Sequence, residues 1–178
     1  PLLSLLVVHL CLFPTTPLVV PLTRPVPLHL YSITHHLLPS FFAVLVVCFV
    51  GFVSWVLVAK LWGATQEVIV SLASKSVTTP IAMEVTQAVG GIPSLTAAVV
   101  VCVGIFGAIF GFKVLSLGHV KSPIAQGLSM GTASHAVGTS AAMEVSGKYG
   151  AYASLGLTLN GIFTALLTPT ILRLLGLL

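Results

Sequence analysis

Charge is what this sequence has least of. Of 178 residues only 6% are charged, just three of them acidic and none an aspartate, while 57% are hydrophobic. A water-soluble domain carries about a quarter of its residues as charges and uses them to cover its surface. That shortage excludes a soluble globular fold. In a bilayer it has a physical reason, because the outer face meets hydrocarbon and a charge placed there is costly. The net charge of +4 does not point to nucleic acid. Arg24, Lys60, Lys75, Lys113, Lys121, Lys148 and Arg173 stand singly along the chain, and phosphate binding needs a basic stripe. Isolated basic residues at the ends of apolar stretches read instead as interfacial anchors. Cysteine is scarce too: Cys11, Cys48 and Cys102 offer neither a disulfide framework nor a zinc spacing. His35-His36, His119 and His135 are equally without ligand spacing, so neither a metal nor another cofactor is expected.

What is present is long apolar sequence. Pro39 to Trp62 contains FFAVLVVCFVGFVSWVLVAKLW, uncharged until Lys60 and long enough to cross a bilayer, which takes roughly 20 residues. A second span is expected from Pro93 to Leu117, with Gly107 and Gly111 at the spacing that lets helix backbones approach closely. A third covers Gly150 to Leu172, with Asn160 in its middle. Residues 1–38 differ. Six prolines interrupt them, Leu2 to Phe13 is too short to span, and the basic start of a signal peptide is missing. This segment is left unassigned, with a transit region, a linker and the damaged front of an incomplete gene product as the open readings. The remainder, 39–178, is read as one transmembrane domain.

Between the spans, Gln66 to Ile92 and Lys121 to Tyr149 are too polar for lipid-facing helices and too apolar for exposed loops. Such backbone suits membrane depth under a cover of protein. The two stretches also resemble each other. ASKSVTTPIAMEVTQAVGGIPSL at 73–95 aligns without a gap to ASHAVGTSAAMEVSGKYGAYASL at 133–155, with eleven identities in 23 positions, AMEV among them. The fold expected is therefore all-α: a polytopic transmembrane helical bundle with an internal repeat containing two broken or re-entrant helices.

In the first copy the hydroxyl-rich run to Thr79 is a poor helix former. Thr79 then reads as an N-cap, with Pro80 opening a short helix that stops at Gly90-Gly91. In the second copy Gly138-Thr139-Ser140 occupies the same place. Half-helix N-termini present free N–H groups and a positive dipole end, and secondary transporters use two such elements to build a site at the membrane midplane. Candidate binding residues are Lys75, Ser76, Thr78 and Thr79 in the first motif and His135, Gly138 and Thr139 in the second, with Asn160 beside them. A cation at position 75 or 135 would suit a carboxylate. The plainer alternative has Lys75 reaching to an interface, His135 bonded to a backbone carbonyl and Asn160 joining two helices. Glu84 and Glu144 are candidates for proton coupling, for pairing with Lys75 or His135, or for simple exposure to water. Gly127-Leu-Ser129-Met-Gly131 fits the nucleophile-elbow pattern, but that elbow needs a strand-turn-helix setting and an acid to orient a histidine. It is rejected, and an enzyme is not expected.

At these motifs the sequence resembles the LrgB/CidB family of membrane proteins. The carrying residues are SKSVTTPIAMEV (74–85), GGIPSLTA (90–97), GIFGAIFG (104–111), SPIAQGLSMGTASHAVGTSAAMEV (122–145) and GAYASLGLTLNGIFTALLTP (150–169). The resemblance implies one of two functions. One is secondary transport of a small monocarboxylate such as glycolate or glycerate, as in the LrgB-like half of the plastidal translocator. The other is a holin- or antiholin-like role in murein hydrolase export and autolysis, with an LrgA-type partner or as a homo-oligomer. It places the chain in the plastid inner envelope of a photosynthetic eukaryote or in a bacterial cytoplasmic membrane.

Overall fold

A computed structural model describes residues 26–178, with side chains from Leu37 onward. Residues 1–25 of the unassigned segment lie outside the described residues. By compactness the chain divides into Pro1–Leu37 and Leu38–Leu178, and the packing described below is that of the second unit.

Six helices follow one another among the described residues: α1 (Val26–Leu61), α2 (Gln66–Ser71), α3 (Thr79–Ala88), α4 (Pro93–Leu117), α5 (Pro123–Val145) and α6 (Gly147–Leu174). Three stretches are long and apolar enough to cross a membrane: Leu37–Leu61, Pro93–Leu117 and Gly147–Leu174. The expected start of α1 at Pro39 is corrected to Val26. Pro27 falls in the first turn, where a missing N–H is no loss, and Pro39 sits inside the helix, as membrane helices tolerate.

Of the three spans, α6 is the central one. Its most apolar window is 44% buried, against 17% for α1 and for α4. On one side Phe52, Val56 and Ala59 of α1 meet Ile69 and Val70 of α2 and Ile171 and Leu172 of α6. On another, Val44 and Phe163 close over Leu128 of α5. The α5 and α6 backbones approach closely. A Cβ at Gly131 would overlap the Ala153 carbonyl, and one at Gly156 would come within 2.5 Å of the Leu128 carbonyl. Elsewhere the helices present bare apolar faces, including Val46, Val47, Phe49 and Val50 on α1 and Val101, Ile105, Phe106 and Ile109 on α4. Faces of this kind fit hydrocarbon surroundings, so the molecule is an integral membrane protein.

Candidate functional site

Two helical runs are interrupted. The first interruption is residues 72–78, irregular backbone between α2 and α3. It is held by a sheet of hydroxyls with no access to solvent: Ser71, Ser74, Thr86 and Thr96 are each exposed by 1% or less. Ser74 Oγ donates to the Ala82 carbonyl at 3.1 Å and lies 3.1 Å from Thr86 Oγ1. Thr96 Oγ1, from α4, is 2.6 Å from the Ser71 carbonyl and 2.9 Å from Thr86 Oγ1. Ser71 Oγ accepts from the Ile92 N–H at 2.7 Å. Every polar group in this packet finds a partner, as burial requires.

The helix after the break, α3, has Thr78 at its N-cap and Pro80 in its first turn, with no hydrogen bond from the Thr78 side chain to the helix. The expected cap at Thr79 is thus corrected by one residue. Proline is as harmless one position further in, since the N–H groups of the whole first turn lack helical partners. The stop comes as expected: Gly90 adopts φ +75°, and the Gly91 N–H returns to the Thr86 carbonyl at 2.9 Å.

The second interruption is smaller than the motif suggests. No extended piece precedes Gly138. The helix α5 instead bends at one joint, Ser134 (φ −129°, ψ 20°) and His135 (φ 42°, ψ −138°). These two residues lie sixty positions after Ser74 and Lys75. A positive φ is rare for a side-chain-bearing residue and persists only where its surroundings impose it. Here they do. The His135 ring is 4% exposed, and its Nε2 donates to the Val100 carbonyl of α4 at 2.8 Å. The room is made by glycine, because a Cβ at Gly104 would lie 2.5 Å from His135 Cε1 and one at Gly107 would overlap Ser134. Thr139 Oγ1 closes the next turn onto the His135 carbonyl at 2.8 Å.

Asn160 of α6 connects the two interruptions. Its Nδ2 donates to the Ser76 carbonyl in the first and to the Thr132 carbonyl just before the second, both at 3.1 Å. Its side chain is 2% exposed.

The sequence comparisons bear on the same segments. The profile of the LrgB-like family matches residues 7–174. The chain belongs to the LrgB-like family. Among its relatives, an uncharacterized protein of Haemophilus influenzae is 44% identical over 131 residues, covering 74% of this chain and 57% of that protein. The holin-like protein CidB of Staphylococcus epidermidis is 34% identical over 156 residues, covering 88% of this chain and 68% of CidB. The protein YxaC of Bacillus subtilis is 32% identical over 155 residues, with coverages of 87% and 67%. The chain therefore spans between 57% and 68% of the length of these relatives. No solved structure matches it.

With the family settled, each candidate residue of this LrgB-like chain can be placed. Lys75 is half-buried, and its ammonium sits 5.5 Å from the centre of the Trp55 ring, a cation–π contact. Ser76, Thr78 and Thr79 are half-buried along the first interruption, and Gly138 and Thr139 are buried behind the joint. Glu84 and Glu144 are both exposed. A groove of about 540 Å³ between α4 and α5 is lined by Cys102, Phe106, Gly107, Gly111, Met130 and Ser134, among others, and no charged residue contributes to its wall. A small carboxylate finds no cation there. Sequence reasoning missed the packet of Ser71, Ser74, Thr86 and Thr96, because in this hydroxyl-rich stretch nothing local marks which hydroxyls turn inward. It also missed Trp55 as the partner of Lys75 and Gly104 as the hollow for His135.

Proposed function

We propose that the chain is a holin-like membrane protein that, with an LrgA-type partner, lets small solutes leak across a cytoplasmic membrane under control and thereby influences murein hydrolase export and autolysis. One observation carries the choice over a selective carrier: the two most deeply buried polar side chains among the candidates, Asn160 and His135, are bonded to backbone carbonyls, and Lys75 packs on an aromatic ring. Relatives bearing the name holin-like support the same reading. What such a leak needs is polar backbone within the bilayer's thickness that protein covers in one state and water reaches in another. The two interruptions, taken as re-entrant elements of an internal repeat, supply it.

A second reading, secondary transport of a small monocarboxylate such as glycolate or glycerate, draws on one place. Beside Lys75, Trp55 Nε1 is a buried donor with no partner among the described residues, and α3 begins nearby without a side-chain cap. An ammonium and a spare N–H would suit a carboxylate. The bacterial relatives lend nothing to a plastid location.

The test is induced expression of the full-length gene in a bacterial host with its LrgA-type partner, followed by turbidity and murein hydrolase activity in the medium. Earlier lysis with hydrolase release is expected. Unchanged lysis together with new glycolate uptake would reverse the order of the two readings.

A further inference from the structure

We infer that Asn160 is a positioning residue whose single amide couples the two interruptions, so that the joint at Ser134–His135 and the stretch 72–78 move as one unit. This goes beyond the functional reading, since the tie holds whichever solute crosses.

Asn160 lies midway along the most buried span. Its two amide hydrogens meet two carbonyls from segments that are 84 and 28 residues away in the chain. Ser76 is outside any helix, and Thr132 is in the last turn before the joint. An apolar side chain at 160 would withdraw the shared donor from both carbonyls, the one at Thr132 in a buried setting. Aspartate, the closest isostere, has no hydrogen to give when ionised and would set a carboxylate against two carbonyl oxygens.

A second tie runs the other way. His135 of the joint is bonded to Val100 of α4, and Val100 stands sixty residues before Asn160, the same displacement as between the motifs. The long helix after the first interruption therefore grips the second, while the long helix after the second grips both. Releasing His135 frees a joint held at positive φ. The shift then reaches the first interruption through Thr132, Asn160 and Ser76.

The experiment uses the full chain in membranes, with Cys11, Cys48 and Cys102 replaced by serine and Ser76→Cys as a reporter for maleimide labelling. Position 76 is half-buried, so its rate can move either way. His135→Ala is the perturbation at the distant joint. With Asn160 in place, His135→Ala should accelerate labelling by about threefold or more, the size expected for coupling between neighbouring networks. In an Asn160→Ala background the same change should leave the rate unaltered, whatever its new baseline. A residue that merely stabilised the fold would shift that baseline without abolishing the response. If Asn160→Ala does not accumulate in the membrane, Asn160→Asp carries the same comparison. No response to His135→Ala in the Asn160 protein, or an equal response in both backgrounds, would overturn the coupling.

Discussion

Buried hydroxyls and missing side chains hold the interruptions as firmly as the amide does, and both are open to single substitutions. Thr86 is wholly buried and shares its hydroxyl with Ser74 and Thr96. Replacing it with valine keeps the shape and removes the shared oxygen, so Thr86→Val should destabilise the protein by about 1–3 kcal/mol, read as a lower midpoint of thermal unfolding in detergent. Gly131 is a harder case. An alanine methyl there lands on the Ala153 carbonyl, and backbone cannot step aside as a side-chain tip can. Gly131→Ala should lower stability by about 1–3 kcal/mol. Gly51 is the control: a Cβ there meets nothing within 4 Å, and alanine is the better helix former by about 1 kcal/mol. Gly51→Ala should leave the melting temperature unchanged or raise it.

Among the elements, α4 carries the clearest division of labour. Gly104, Gly107 and Gly111 face α5, yet they meet different things: the His135 ring, the short side chain of Ser134 and the far end of Met130. Methionine repacks easily, while Ser134 is fixed beside the joint. Gly107→Ala should therefore reduce stability and membrane yield clearly more than Gly111→Ala, as judged by detergent melting of the two purified variants. The sequence made Gly107 and Gly111 visible as a close-packing pair but could not say against what. The limits of α4 were legible because proline opens the helix and the apolar run ends near Lys113. The start of α1 was not, since prolines at 27 and 39 look like breaks until one sits in a first turn and the other inside a membrane helix. An extended piece before Gly138 was expected in the second motif, where the helix instead bends at Ser134–His135. Thr132, Ser134, Gly138 and Thr139 weaken the helix at that point, but only contact with Gly104 and Val100 decides that it bends rather than unwinds. Asn160 was visible as a polar residue in a span. Which two carbonyls it serves depends on segments far away in the chain.

Viewed whole, the second unit is built from the inside outward in an order that suits a bilayer. Hydroxyls and one amide surround the interruptions, apolar clusters pack around α6, and bare aliphatic and aromatic faces lie outermost. The fold shares its family with proteins named holin-like and carries no charged residue in the groove between α4 and α5. The functional account turns on selectivity, because a leak passes small polar solutes alike whereas a carrier recognises one. The most direct measurement is release from liposomes that hold the full-length protein with an LrgA-type protein, loaded with labelled glycolate and labelled sucrose together. The holin-like account predicts that both labels leave, at rates that rise in proportion to concentration without saturating. Saturable release of glycolate with sucrose retained, or retention of both labels, would contradict it.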